Sequence, residues 1–269
     1  MIQIKTEDEI SRMRVAGLVV CRTLRRLREA VQPGISTADL DDIARDSISS
    51  EGATPSFLGY RGFPAHICTS VNEEVVHGIP RKDKVLRDGD VLSIDCGAIV
   101  DGWHGDSAIT VGVGEVKPAY VELMRACEES MWAGFAAALP GGKLTDISHA
   151  VESSVRTRGD YGIVDHYGGH GIGTEMHQEP HVLNYGRPGR GPKLVPGLCL
   201  AIEPMITMAE PGTRELADGW TVVTTDGSYA SHFEHTVAIT ADGPWVLTAE
   251  DGGVAKLAEY GVAAAVHTT

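Results

Sequence analysis

Two apolar runs joined by an Asp-Gly pair occupy residues 91–111, which read VLSIDCGAIVDGWHGDSAITV. Asp-Gly is among the strongest signals for a two-residue hairpin turn, because such turns need positive φ at both central residues. With Asp101-Gly102 as the turn, Asp95 and Asp106 lie diagonally across the two strands. Side chains alternate between the faces of a strand, so both carboxylates point to the same side. The segment therefore predicts an antiparallel hairpin with two acidic neighbours about 7–8 Å apart.

Three further residues of the kinds that bind metals lie in apolar or glycine-rich segments. Glu203 follows an apolar run in LCLAIEP, and Glu234 lies in SHFEHTVAIT, where alternation places it on one face with His232 and Thr236. His170 lies in YGGHGIG, whose glycines remove side chains around the imidazole and permit the close approach of a metal or a substrate backbone. A buried charge without a partner is very costly, so these acids need strong partners.

Convergence of the five ligand-type residues on one place would be explained by two divalent metal ions. Two carboxylates on one face of a hairpin suit a pair of ions about 3.5–4 Å apart. One imidazole and four carboxylates, without a thiolate, form a hard donor set that accepts Mn, Fe or Co and does not favour a closed tetrahedral zinc site. The alternative for each aspartate alone is a structural role, Asp95 as a local cap and Asp106 within a turn.

Composition limits the other functions that are open to the chain. Its 269 residues are 42% hydrophobic and 22% charged, which is typical of a globular protein with a substantial core. The net charge of −14 disfavours tight binding to nucleic acid or to an anionic membrane. No apolar run approaches the length of a membrane span, and the first residues lack the pattern of a signal peptide. Five cysteines without a Cys-x-x-Cys pair favour reduced thiols in a cytoplasmic protein.

Hydrophobic periodicity predicts one α+β domain with mostly antiparallel strands. A capping box at Thr6 and Glu9 begins the first helix, and Pro33-Gly34 ends it. We expect further helices from residue 36 or 37 to about 52, from about 118 to 139 and from about 145 to 157. We expect strands at 66–71, 91–98, 105–112, 198–206, 220–225 and 233–240. Residues 1–250 would form a single catalytic domain, and the C-terminal tail 251–269 would be either a short helix or frayed chain.

Seven motifs together resemble those of type I methionine aminopeptidases, which have the pita-bread metallopeptidase fold. They are KTEDEISRMRVAG, TSVNEEVVHGIP, VLSIDCGAIVDGWHGD, GGHGIGTEMHQEP, LAIEPMI, DGWTVVTTDG and FEHTVAIT. They come in the order of that family, and the resemblance covers about residues 3–247. It implies an α+β fold of the creatinase/aminopeptidase kind, with a curved antiparallel sheet, flanking helices and two halves related by a pseudo-two-fold axis. Because Glu203 follows His170 by 33 residues, the long insertion of type II relatives is absent.

The resemblance also implies a role for each ligand-type residue. Asp95 would chelate one metal ion and His170 the other, while Asp106 and Glu234 would bridge the two ions. Glu203 would bind the ion that His170 holds and would also act as the general base. The implied cofactors are two divalent cations per subunit, either Co, Mn or Fe.

The implied activity is removal of the N-terminal methionine from nascent proteins and peptides with a small second residue. Metal-activated hydroxide would attack the first peptide bond, and Glu203 would pass the proton to the leaving amine. His177 would donate a hydrogen bond to the developing oxyanion, and His77 would contact the amide on the leaving side. The partners would be N-terminal Met peptides and nascent chains, with transient ribosome contact, and the protein would be a monomer.

The resemblance further implies a methionine pocket with apolar walls. Its residues would be Tyr60, Phe63, Cys68, Met176 and Trp220. Met176 departs from the family pattern, because that position is commonly aromatic in relatives. A flexible methionine side chain in place of an aromatic ring would change the shape of the pocket and not the hydrolytic reaction.

Two other classes of protein remain open. A proline-directed peptidase of the same fold would use similar ligands, but such relatives usually carry a large N-terminal domain, which has no room before the first motif here. A non-enzymatic pita-bread protein should have lost ligands, whereas all five are present together with His77 and His177. Preference for Xaa-Pro over Met-Ala peptides would identify the first class. A non-enzymatic protein that has lost the metal site would not be stabilised by metal. A metal-dependent stabilisation that Asp106→Ala abolishes would therefore exclude the second class.

Overall fold

The computed structural model describes residues 1–265 of the chain. Within them, the α-helices are Glu7–Ala30 (α1), Thr37–Ser50 (α2), Pro118–Ala137 (α3), Leu144–Arg158 (α4) and Val254–Glu259 (α5), with a 3₁₀ turn at Tyr60–Gly62. The strands are Thr54–Pro55 (β1), Cys68–Val71 (β2), Glu74–Val76 (β3), Val91–Val100 (β4), Trp103–Gly112 (β5), Gly162–Ile163 (β6), Gly169–Gly171 (β7), Gln178–Val182 (β8), Cys199–Ile202 (β9), Met205–Thr207 (β10), Thr213–Glu215 (β11), Val222–Thr224 (β12), Ala230–His232 (β13), His235–Ile239 (β14) and Pro244–Val246 (β15). None of the helices so described is long and apolar enough to cross a membrane.

The hairpin of β4 and β5 has the predicted register. Asp95 lies opposite Ala108, and the pairing continues to the turn at both strands. The turn residues Asp101 and Gly102 have φ values of 49° and 81°, as a type I′ turn requires. Because paired residues share a face, Asp95 and Asp106 lie on the same side of the hairpin. The predicted geometry is therefore confirmed.

Every pairing between the strands is antiparallel. One sheet contains β1, β4 and β2 in that order, with β5 also on β4, and another has the order β15-β14-β9-β7-β8. Two three-stranded sheets have the orders β13-β10-β6 and β11-β12-β3. Helix α1 packs on β4 and β5, while α3 packs on α4 and on β13 and β10. The structure confirms the prediction of an α+β fold with antiparallel sheets and flanking helices.

The helix starts follow local chemistry that is visible in the sequence. Thr6 caps α1 with Glu9 as its reciprocal partner, as predicted, and Ser36 and Asp39 form the same capping box at α2. Such boxes satisfy backbone N–H groups that the first helical turn leaves free. The four predicted helices agree with the observed bounds to within about two residues, the usual uncertainty of helix ends.

One predicted strand is interrupted at a glutamate, and another begins slightly later than predicted. Residues 198–206 divide into β9 and β10 around Glu203-Pro204, and residues 233–240 lie partly in β14, which begins only after Phe233 and Glu234. The prediction of one continuous strand over residues 198–206 is wrong. Pro204 has no N–H to continue a ladder. The backbone of Glu234 pairs instead with Ala108, with N–O distances of 2.9 and 3.1 Å. This bridge brings Glu234 beside the acidic face of the hairpin.

The tail packs against α3 through α5. Lys256 Nζ donates to Glu129 Oε1 at 2.9 Å, and the Tyr260 hydroxyl donates to Glu129 Oε2 at 2.7 Å. Of the two alternatives for residues 251–269, the part up to 265 contains the short helix. Residues 266–269 lie outside the described part of the chain.

We expect Gly17→Ala to lower the free energy of unfolding by about 1–3 kcal/mol, the usual cost of overpacking. Gly17 lies on α1, where a β-carbon would come within 2.3 Å of the backbone oxygen of Leu247. Urea unfolding measures the change. Val15→Ala is the matched control, because Val15 is exposed on the same helix. An unchanged midpoint for Gly17→Ala would mean that this close approach does not constrain the fold.

Candidate metal centre

One cavity of about 330 Å³ collects every residue that the sequence analysis assigned to a site. The five ligand-type residues and both assigned histidines line it together with the five pocket residues. These are Asp95, Asp106, His170, Glu203 and Glu234; His77 and His177; and Tyr60, Phe63, Cys68, Met176 and Trp220. Residues separated by more than 150 positions in the chain therefore meet at one place.

Four of the ligand-type residues lie within a few ångströms of one another. His170 Nε2 is 3.5 Å from Glu203 Oε1, 3.9 Å from Asp106 Oδ2 and 4.0 Å from Glu234 Oε1. Asp106, His170 and Glu234 each offer one atom to a group in which all atoms lie within 4.8 Å. Glu203, His232 and Glu234 form a second such group. Glu234 belongs to both groups, as a residue between two ions would.

Asp95 lies beside these groups and belongs to neither of them in the described residues. Its side chain lines the same cavity, and its Oδ1 atom is buried without a hydrogen-bond partner. Burial, with a further contribution from the charge of Glu203, raises the pKa of Asp95 to about 7. The Oδ1 atom of Asp95 is thus available as a metal ligand in this cavity.

Burial is the first cause of a raised pKa at all four acids. The pKa of Glu203 rises to about 7, and those of Asp106 and Glu234 rise well above their usual range because neighbouring carboxylates add to the effect of burial. Asp106 Oδ1 and Glu234 Oε1 are also buried without a hydrogen-bond partner. A dense group of buried acids is stable as anions only with a strong counter-charge. The donor set fits a pair of hard divalent cations.

The neighbouring backbone holds the acidic face in place. The Thr236 hydroxyl accepts from Asp106 N at 3.1 Å and donates to Asp106 O at 2.8 Å. The Ser107 hydroxyl donates to Glu234 O at 2.5 Å. The side chain of Thr236, which we expected on one face with Glu234, contacts the backbone of Asp106. These bonds fix the two acids by their main chain.

His170 presents Nε2 to the acids because Nδ1 is already occupied. Nδ1 lies 2.9 Å from the backbone oxygen of Gly171, so Nδ1–H donates there and Nε2 carries the free lone pair. Burial lowers the pKa of His170 to about 4, which keeps the imidazole neutral at pH 7. A neutral imidazole with an oriented lone pair is the form that binds a metal ion.

The glycines around His170 make room for the backbone of neighbouring strands. A β-carbon at Gly169 would lie 2.1 Å from Ala201 O, and one at Gly171 would lie 2.2 Å from Glu179 O. The close approach at Gly169 and Gly171 is that of the β9 and β8 backbone. Gly168 lines the cavity, and the approach of a metal or substrate there stays a prediction. The glycines let neighbouring strands pack tightly enough to hold the imidazole.

The two remaining histidines flank the acids. His177 Nδ1 lies 2.7 Å from the Tyr60 hydroxyl, and its ring centroid is 4.3 Å from that of His170. His77 has a φ of 60°, an uncommon conformation for a residue other than glycine, and strained backbone of this kind concentrates at functional sites. Burial lowers the pKa of both His77 and His177 to about 4, so both are neutral at pH 7.

The pocket residues form a separate apolar cluster beside the acids. Phe63, Cys68 and Met176 are buried in it together with Phe57, which the sequence analysis missed, and Tyr60 and Trp220 pack against it. The rings of Phe57 and Phe63 meet edge-on at 6.5 Å. Phe57 precedes the 3₁₀ turn in an irregular segment, so no period in the sequence marks it. His232 was noted only for its shared face with Glu234.

Without metal, we expect the free energy of unfolding to fall as pH rises from about 4 to about 7 and then to level off. The folded pKa values of Asp95 and Glu203 are raised to about 7, so the folded state holds protons that the unfolded chain has already lost. That stabilisation is present at low pH and disappears as pH rises through the folded pKa. Saturating Mn²⁺ should abolish this fall in the free energy of unfolding, because the bound cation balances the negative charge of the ionised acids. Urea titrations with EDTA and with Mn²⁺ measure the difference, and parallel pH dependences would contradict it.

The chain matches known proteins over most of its length. The sequence profile of Metallopeptidase family M24 matches residues 11–241. The methionine aminopeptidase of Clostridium acetobutylicum is 53% identical over 248 residues, covering 92% of this chain and 99% of that protein. Methionine aminopeptidase 1 of Mycobacterium tuberculosis is 53% identical over 249 residues, covering 91% and 94%.

The chain also resembles solved structures in its fold. The methionine aminopeptidase of Thermotoga maritima has a TM-score of 0.91 and 41% identity, with coverage of 93% of this chain and 100% of that chain. The prolidase of Pyrococcus furiosus has a TM-score of 0.72, 22% identity and coverage of 91% and 65%. At that identity the prolidase shares the fold alone.

Proposed function

The chain belongs to the methionine aminopeptidases of metallopeptidase family M24, with their α+β pita-bread fold, and on that premise we propose that it removes N-terminal methionine from peptides and nascent proteins. One observation carries the proposal: the five ligand-type residues, two neutral histidines and an apolar cluster line a single cavity. A cavity of this size suits a side chain such as that of methionine.

We propose the metal ligands that the family resemblance implies. Asp95 would hold one divalent ion, His170 and Glu203 the other, and Asp106 and Glu234 would contact both. Two bound ions would supply Lewis acidity, polarising the scissile carbonyl and lowering the pKa of a bound water. The oxygen-rich donor set favours Mn, Fe or Co.

The remaining side chains would move protons and orient the substrate. Glu203 would accept a proton from the attacking water and return it to the leaving amine. When the Tyr60 hydroxyl donates to His177 Nδ1, the neutral imidazole carries its proton on Nε2 and can donate to the oxyanion. His77 would contact the amide on the leaving side, where its ring meets Trp220 edge-on with centroids 6.3 Å apart.

Substrate selection would depend on the apolar cluster and the cavity entrance. Phe63, Cys68, Met176, Tyr60 and Trp220 would receive the methionine side chain, and a bulky second residue would clash at the entrance. We further propose that residues 1–250 act as one catalytic domain and that the protein works as a monomer in the cytoplasm, with transient ribosome contact.

A peptide panel tests the function. We expect release of the first residue from Met-Ala-Ser, little release from Met-Ile-Ser, and none from acetyl-Met-Ala-Ser, because acetylation removes the free amine. Ala-Pro-Ser tests the proline-directed alternative. Faster cleavage of Ala-Pro-Ser than of Met-Ala-Ser would overturn the proposal, and the relative rates are measured by chromatography of the free amino acids.

A further inference from the structure

Glu203 lies between the imidazoles of His170 and His232. His170 is a proposed metal ligand, whereas His232 has no assigned role. The Oε1 atom of Glu203 is 3.5 Å from His170 Nε2, and its Oε2 atom is 3.3 Å from His232 Nε2. The side chain of His232 is only 2% exposed. Its Nε2 atom makes no aligned hydrogen bond within the described residues. The geometry thus places His232 Nε2, which has no hydrogen-bond partner among the described residues, beside Glu203 Oε2.

The backbone of His232 is held firmly. Its N–H donates to the Thr110 hydroxyl at 3.0 Å, and its carbonyl oxygen accepts from the same hydroxyl at 2.7 Å. Thr110 lies on β5, the strand that carries Asp106. The imidazole of His232 is therefore fixed to the same hairpin as the acidic face, while Glu203 sits in a break between two strands.

We propose that His232 is a positioning residue that donates a hydrogen bond from Nε2–H to Glu203 Oε2. This bond would leave Oε1 directed towards His170 and would hold the carboxylate in one orientation. The inference rests on the function proposed above, in which Glu203 is the general base. Catalytic hydrogen bonds are often long or poorly aligned in the unliganded protein and tighten in the complex.

The hydrogen-bonding of the two imidazoles argues against His232 as a metal ligand. A metal-binding imidazole almost always donates its other ring N–H to a carbonyl, a carboxylate or water. His170 does so, since Nδ1 faces Gly171 O at 2.9 Å. Among residues 1–265, no hydrogen bond from Nδ1 of His232 fixes its tautomer in that way. A proton on Nε2 would satisfy Glu203 instead, and Nε2, the nitrogen that faces the acids, would then have no lone pair for a metal.

The substitutions His232→Gln and His232→Asn distinguish a role of Nε2 from a role of Nδ1. The amide nitrogen of Gln reaches the position of imidazole Nε2, whereas that of Asn reaches only the position of Nδ1. We expect His232→Ala and His232→Asn to lower kcat on Met-Ala-Ser by about 10–100-fold, with KM changed by less than about threefold. His232→Gln should recover kcat to within about threefold of the parent protein.

Mn²⁺ titration calorimetry provides the readout that does not need activity. Loss of the partner of a ligating carboxylate should weaken one Mn²⁺ binding event by about tenfold or more in the Ala and Asn variants, and Gln should restore it. Urea midpoints for all three variants monitor folding.

Two outcomes overturn the inference. Equal loss of Mn²⁺ affinity in the Gln and Ala variants would make His232 a metal ligand. Parental values in all three variants would make it a packing residue. An inactive parent protein would refute the proposed function alone, because the calorimetry would still decide the role of His232.

Discussion

Glu203→Gln is expected to lower kcat for methionine release by about 10²–10⁴-fold, or about 3–5 kcal/mol of activation free energy. Glutamine keeps the shape of the side chain but cannot accept a proton at neutral pH. Glu203 is also the acid whose two oxygens face His170 and His232, so the substitution removes the proton acceptor from the centre of the cluster. Steady-state kinetics on Met-Ala-Ser at saturating Mn²⁺ measures the effect.

Glu115→Gln is the matched control for this variant. Glu115 is exposed and does not line the cavity, so the same chemical change should leave kcat and KM as they are. Mn²⁺ titration of Glu203→Gln separates loss of the base from loss of the ion. A variant with bound metal and a kcat within threefold of the parent value would show that another group takes the proton.

Asp106→Asn should have opposite effects on stability and activity. In EDTA at pH 8, where the raised pKa of Asp106 makes its ionisation costly, we expect the variant to be more stable than the parent protein by about 1–3 kcal/mol. With free Mn²⁺ at 100 times its dissociation constant, the parent protein should gain about 2.7 kcal/mol and the variant little. Methionine release should fall below detection, because Asp106 would contact both ions.

Asp242→Asn controls for the loss of one negative charge, since Asp242 is exposed and outside the cavity. It should alter neither the unfolding midpoint in EDTA nor the stabilisation by Mn²⁺. A normal Mn²⁺ response in Asp106→Asn would contradict the assignment of Asp106 to the metal centre. A less stable Asp106→Asn in EDTA would contradict the claim that its buried carboxylate is strained without metal.

The hairpin was predictable because its determinants are local. Asp101-Gly102 sets the turn, and alternation then fixes the faces of Asp95 and Asp106. The helix starts were predictable for the same reason, since Thr6 and its capping partner lie three residues apart. By contrast, the strand break at Glu203 and the bridge between Glu234 and Ala108 depend on contacts between distant segments, which no local period records.

The site itself was only partly readable from residue chemistry. Acids in apolar segments indicated a metal centre, because burial of unpaired charge is so costly. The assignments of His77, His177 and the pocket walls came from the family resemblance. Phe57 and His232 carried no comparable signal: one lies in an irregular segment, and the partner of the other is 29 positions away in sequence at Glu203.

Metal-stripped protein assayed on Met-Ala-Ser, with Mn²⁺, Co²⁺, Fe²⁺ or Zn²⁺ added back, tests the central claim most directly. We predict no release of methionine in EDTA and recovery with at least one of Mn²⁺, Co²⁺ and Fe²⁺, in parallel with the metal-dependent rise in the unfolding midpoint. Absence of release with every metal, in protein that is demonstrably folded, would contradict the account and would favour a pita-bread protein that binds a partner without catalysis.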